Sequence, residues 1–206
     1  ADLSHESALW KLVGIHEHLP LIERSQIVKG LYEELIVLGQ PEGHYRLGRL
    51  YQWSGHPLYQ PDFGDIYLKD AAKLGVTEAK LLLGKLYMGD WNHKQDTLQA
   101  VDYLTQASKS ESGEACRHLG MIYRYGVGVK TNLELAWRYY GQGARLSDTD
   151  SMFAIAEALF LGEDIVQDKP RAHRYYFDAA KLGHREASRQ LKSLDFGDDK
   201  DELLYP

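Results

Sequence analysis

The chain has 206 residues, a formal net charge of −6, 44% hydrophobic and 26% charged residues, and one cysteine. That balance is ordinary for a folded chain, and its acidic sign argues against a general nucleic-acid binder, which carries a basic footprint. No run approaches the roughly 18 apolar residues of a membrane-spanning helix, and Cys116 alone supplies no internal disulfide framework.

The first residue is Ala1, as expected of a processed or trimmed chain from which any secretory signal is already gone. Residues 4–18 place Ala8, Leu9, Leu12, Val13 and Ile15 at helical spacing after Ser4, and Pro20 ends that helix. Residues 24–39 form the second helix of a degenerate first unit, 1–39, closed by Gly39 in the left-handed turn that stops a helix. From there a period of 36 residues takes over. Gly48, Gly84 and Gly120 recur at that interval, with Tyr51, Tyr87 and Tyr123 three positions after them. So do Ala100, Ala136 and Ala172, and Tyr67, Tyr103, Tyr139 and Tyr175.

A fixed period of this length means stacked copies of one supersecondary unit. Four copies follow, at 41–75, 76–111, 113–148 and 149–183, each a helix, a glycine-bearing loop and a second helix. Pro61 and Pro170 fall where second helices begin, a position that tolerates a missing N–H. Residues 184–194 add a capping helix, so 1–194 reads as one repeat domain, and 195–206 is an acidic tail. Within that tail Lys200-Asp201-Glu202-Leu203 spells a retention signal, which is read only at an extreme C-terminus, and Leu204 to Pro206 follow it. Glycine in mid-helix costs about 1 kcal/mol against alanine, so the Gly48, Gly84 and Gly120 column predicts a close helix–helix approach. The pattern lapses at Glu157, read here as the fourth member of that column, at Glu111 and Ser147, where glycine should end the second helix, and at Gly64, which replaces the column alanine.

The run Ala-x-x-x-Leu-Gly-x-Leu-Tyr, a Gly-x-Gly-Val loop, then Ala-x-x-Tyr-Tyr with small residues near the helix end resembles the Sel1-like repeat, a relative of the tetratricopeptide repeat. Its best matches are Ala79–Gly89, Ala115–Gly128 and Ala172–Gly183. The resemblance implies an all-α, right-handed α/α superhelical solenoid of about five helix-turn-helix repeats. It also implies a non-enzymatic scaffold or adaptor, without catalytic residues or cofactors, that binds another protein or peptide in a bacterial, envelope-associated or periplasmic setting, with the cytoplasm as the alternative.

In such solenoids the first helices line the concave surface. Advancing about 100° per residue from each column glycine, positions −3, +1 and +4 fall opposite the core. The expected partner-binding stripe is therefore Tyr45, Arg49, Gln52, Leu81, Lys85, Met88, Arg117, Met121 and Arg124, continued by Ala154, Ala158 and Leu161. Basic and apolar residues together suit an acidic, partly hydrophobic peptide. Trp53, His56 and Tyr59, in the proline-bounded loop up to Pro61, form a second contact region. His16 with His18, and Cys116 with His118, are two apart and point away from each other on a helix, so no metal site is expected. Gly126-Val127-Gly128 lacks the third glycine and the preceding strand of a nucleotide loop. Two other functions fit less well: an immunity protein that neutralises a toxin, and a carbohydrate-binding protein or enzyme with a polar, aromatic cleft.

Overall fold

The computed structural model describes residues 21–89 and 95–194, so the helix expected over 4–18 and the acidic tail lie outside the described residues. Ten α-helices and no strand occur among the described residues, divided between two compact units, Ala1–Tyr103 and Leu104–Pro206.

The first unit holds α1 (Leu21–Val37), α2 (Pro41–Gln52), α3 (Pro61–Lys73), α4 (Thr77–Tyr87) and the start of α5 (Thr97–Lys109). Helix α2 packs most extensively on α3, as a helical hairpin requires. Proline opens both helices, where its lost N–H would have gone unbonded anyway. The close approach predicted for the glycine column is present. A Cβ on Gly48 would stand 2.8 Å from Leu68 Cγ and 3.1 Å from the Gly64 carbonyl. Leu47, Leu68, Leu83 and Leu86 are wholly buried, each contributing about 2–3 kcal/mol by removing its side chain from water.

The second unit holds the end of α5, α6 (Gly113–Tyr125), α7 (Leu133–Arg145), α8 (Thr149–Leu161), α9 (Lys169–Lys181) and α10 (Arg185–Ser193). Helices α6 with α7 and α8 with α9 form the hairpins. The Gly120 column position faces the buried Tyr140 ring, 2.9 Å from where a Cβ would sit.

Two backbone bonds repeat with the sequence period. Gln60, Asp96, Asn132 and Asp168 donate their N–H to Tyr51, Tyr87, Tyr123 and Leu159 at 2.8–2.9 Å, closing each hairpin loop. Gln40, Val76, Ser112, Asp148 and His184 donate to Leu35, Ala71, Ala107, Gly143 and Ala179 at 2.9–3.1 Å, closing the turn between hairpins. In that turn Gly39, Gly75 and Gly183 have φ of 76°, 99° and 95°, and Glu111 and Ser147 hold φ of 62° and 63° without glycine's freedom.

These bonds correct the register read for the fourth repeat. Leu159 is the counterpart of Tyr123, which makes Ala156, not Glu157, the counterpart of Gly120. Ala158 is accordingly buried rather than outward, and the positions matching the expected stripe are Phe153, Glu157 and Phe160. One residue of slip turns a helix by about 100°, enough to exchange its buried and open faces.

Candidate functional site

In the first unit the first-helix face carries Tyr45 and Arg49 on α2, and Leu81 and Lys85 on α4, with Met88 just past its end. Arg49 is exposed, and the other four are partly covered. Tyr45 and Met88 pack on the cluster centred on Leu83 and Leu86. The guanidinium groups of Arg46 and Arg49 lie 5.7 and 5.6 Å from the Tyr45 ring centre, within cation–π range. Beside them opens a groove of about 500 Å3 lined by Tyr32, Arg46, Arg49, Leu50 and Trp53. Arg46 is tied to Glu42 at 2.7 Å, whereas Arg49 forms no ion pair among the described residues.

Gln52 does not belong to this face. It is 1% exposed and donates to the Pro61 carbonyl at 3.1 Å and to Asp65 Oδ1 at 2.9 Å. The cause is Gly64: a Cβ there would stand 2.8 Å from Gln52 Cγ, so the amide side chain occupies the space that an alanine methyl would fill.

The loop residues divide in the same way. Trp53 is 56% exposed and Tyr59 37%, but His56 is 8% exposed and works inside the loop. Its Nδ1 accepts from the Leu58 N–H at 3.2 Å, which leaves the proton on Nε2 to be donated to Ser25 Oγ at 3.0 Å. Burial, reinforced by Arg24, pushes the His56 pKa down, so the ring stays neutral at pH 7. A Ser–His pair with the proton on the nitrogen facing the hydroxyl is arranged as a structural strut, since a general base must accept at that nitrogen.

In the second unit Arg117, Met121 and Arg124 share α6, but the two cations are neutralised from within. Arg117 Nε lies 3.5 Å from Asp148 and 3.4 Å from Asp150, with Glu114 3.7 Å from Nη2. Arg124 is 14% exposed, bonds Asp164 at 2.7 Å, has Glu163 at 3.7 Å, and lies 5.0 Å from the Trp137 ring centre. The expectation of a positive stripe is therefore corrected here. Four of these carboxylates sit some thirty to forty residues away in sequence: Asp148 at the end of the same repeat, and Asp150, Glu163 and Asp164 on the next. The sequence reading passed over them; the signal for finding them was acidic residues one period further on. Glu157, half-buried near Arg124, has its carboxyl pKa pushed up by burial, which outweighs the opposing pull of that arginine.

Another regularity went unforeseen. Tyr51 stacks on Tyr67, Tyr87 on Tyr103 and Tyr123 on Tyr139, at 5.7–5.9 Å and within 11° of parallel. The two tyrosine columns are thus partners across the first three hairpins, and Leu159 ends the series in the fourth.

A profile of the Sel1 repeat matches residues 41–63, 77–112, 113–148 and 149–184. An uncharacterized protein of Neisseria meningitidis is 25% identical over 163 residues, 79% of this chain and 34% of the relative. The chain thus spans about a third of that relative's length. Among solved structures, a Sel1 repeat protein from Oxalobacter formigenes superposes with a TM-score of 0.78 at 21% identity, covering 97% of this chain and 80% of its own. An immunity protein from Pseudomonas aeruginosa does so with a TM-score of 0.59 at 18% identity, covering 97% and 74%. The fold is the α-solenoid of helix-turn-helix repeats that these neighbours share.

Proposed function

This chain belongs to the Sel1 repeat family, whose repeats mediate protein–protein interaction, and from that premise we propose that it is a non-enzymatic scaffold holding an acidic segment of a partner protein on the first-helix face of its first unit. One observation carries the reading: Arg49, exposed and without an ion pair among the described residues, lines a groove with Arg46 and the open Trp53 ring. A guanidinium offers a carboxylate two parallel hydrogen bonds, and an aromatic face beside it takes an apolar side chain. Arg117 and Arg124, the second-unit cations of the expected stripe, already have carboxylates and contribute shape rather than charge.

Immunity function belongs to the Pseudomonas neighbour, and at 18% identity the likeness supports a shared fold alone. A bacterial envelope setting is part of our proposal, and the bacterial sources of the Neisseria and Oxalobacter relatives support the bacterial part of it alone. Among the described residues no helix is long and apolar enough to cross a membrane. Fractionation of source cells tests the setting, and recovery in the cytoplasm alone would refute it.

The binding experiment uses wild type and Arg49→Glu, both shown to be folded by circular dichroism, as bait in an extract of the source organism. The expected result is a partner held by wild type at least about tenfold more tightly than by the variant, a difference of about 1.4 kcal/mol, and displaced by an acidic peptide copied from that partner. Equal retention by both baits would remove the groove from the function, and identifying the captured protein would separate scaffold from toxin inhibitor.

A further inference from the structure

The geometry points to a second peptide site, on the second unit, for a segment in which a bulky apolar side chain stands close to a carboxylate. A cavity of about 270 Å3 opens among α7, α8, α9 and the loop before α9. Ile155 and Leu159 are buried residues of its lining, and Val166, 89% exposed, lies at its open side. A hollow of about 300 Å3 shares Arg171 and Tyr175 with it and adds Arg174 and Asp178. A pocket for a whole drug-sized ligand spans about 300–1,000 Å3, so the apolar cavity fits one anchoring side chain with the rest of its owner outside.

Gly141 supplies an independent argument. Most helix glycines answer to packing: an added Cβ would meet Leu68 at Gly48 and the Tyr140 ring at Gly120, whereas Gly30 in α1 and Gly141 have open space, and of these two Gly141 lines the cavity. At Gly141, within α7 and on the cavity wall, an added Cβ would meet nothing within 4 Å. A poor helix former is thus kept where packing does not require one, and its effect is to leave the cavity open. Trp137 forms another wall and is held by the Arg124 guanidinium over its ring and by Tyr140 at 5.3 Å, so the cavity is formed in advance of any ligand.

The charge around it selects the ligand. Arg171 pairs with Asp168 at 3.7 Å and remains 63% exposed at its side chain. Arg174 is exposed and forms no ion pair among the described residues. The hollow's lining sets one carboxylate, Asp178, and Asp168 engages Arg171 from beside it, so Arg174 is the cation left without an ion pair among the described residues. Carboxylates on the ligand are favoured there, beside the apolar anchor. This site is separate from the Arg49 groove and stands whether or not that groove binds.

The test is selection of random peptides displayed on phage against wild type, with counter-selection on Gly141→Leu, which fills the cavity. We expect enriched peptides that pair a large aliphatic or aromatic residue with an acidic one within about a helical turn. Their affinity should fall at least about tenfold on Gly141→Leu and on Arg171→Gln with Arg174→Gln, and be unchanged on Arg49→Glu. Both arginines are exposed, so their double variant decides the matter even if Gly141→Leu folds poorly. The proposal is overturned if nothing enriches on wild type over the filled variant, if the enriched peptides lack acidic residues, or if their binding follows Arg49 instead.

Discussion

At the scale of single residues the glycines divide by what stands opposite them. Gly120→Ala drives a methyl to 2.9 Å from the Tyr140 ring. Overpacking of about 1–3 kcal/mol outweighs the helix-propensity gain of about 1 kcal/mol, leaving a net loss of about 1 kcal/mol. Gly141→Ala meets open space and should gain about 0.5–1 kcal/mol. Urea titration of both variants checks the pair, and a loss at Gly141 would remove its freedom from packing. Glu111 sits at φ 62° in the turn where Gly39, Gly75 and Gly183 serve in three other repeats. Glu111→Gly relieves about 1–2 kcal/mol of left-handed strain against about 0.4–1 kcal/mol of added unfolded-state entropy. The expected outcome is a gain of about 0.5–1 kcal/mol in the same titration. Glu157 gives a pH dependence with a definite sign. Its folded pKa is raised by burial, so the folded protein holds that proton more tightly than the unfolded chain. Its contribution is fully present below the ordinary 4.5 and lost as pH rises through the folded value. Glu157→Gln should therefore melt higher than wild type at pH 7 and converge with it as pH falls below 4.5. A melting difference that is the same at both pH values would sink the argument.

At the scale of elements the helix ends distinguish the repeats. Ser112, Asn132, Asp148, Asp168 and His184 accept a first-turn N–H at the starts of α6 to α10. Gln40, Gln60 and Val76, before α2, α3 and α4, make no such side-chain bond. A side-chain cap is worth about 1 kcal/mol, so first-turn amides of α2 to α4 should exchange with deuterium about fivefold faster than those of α6 to α10. Equal protection would mean that tertiary packing, not capping, sets the fraying of these helices. Asp148 also explains why Arg117 is unavailable to a partner, because the same carboxylate that caps α8 faces the guanidinium. Helix and hairpin boundaries were legible in the sequence for a local reason. Glycine, proline and capping residues act within about one turn of where they sit. The slip at Glu157 arose because the fourth repeat has alanine where the others have glycine, so the anchor of the count was misplaced while the backbone bonds kept the period.

At the scale of the whole molecule the net charge of −6 opposes the acidic partner that the Arg49 groove would attract. The two effects differ in range. At about 0.01 M salt the screening length is about 30 Å and an approaching acidic peptide feels the whole chain, while at about 0.15 M it is about 8 Å and the groove dominates. Association of such a peptide should therefore quicken between these concentrations and slow again toward about 1 M, where screening falls to about 3 Å. Stopped-flow rates that only decline with salt would show that the distant charge is not felt. The sequence by itself determined the all-helical repeat, its period, the column of close approaches and most helix ends, because each rests on local backbone preference or on a pattern copied along the chain. Only the tertiary structure decided which cations remain available. Gln52 fills the gap left by Gly64, Arg117 and Arg124 take Asp150 and Asp164 from the following repeat, and His56 is turned inward to Ser25. Burial and pairing depend on what a neighbouring hairpin places opposite a side chain, and that neighbour lies about a full repeat away along the chain.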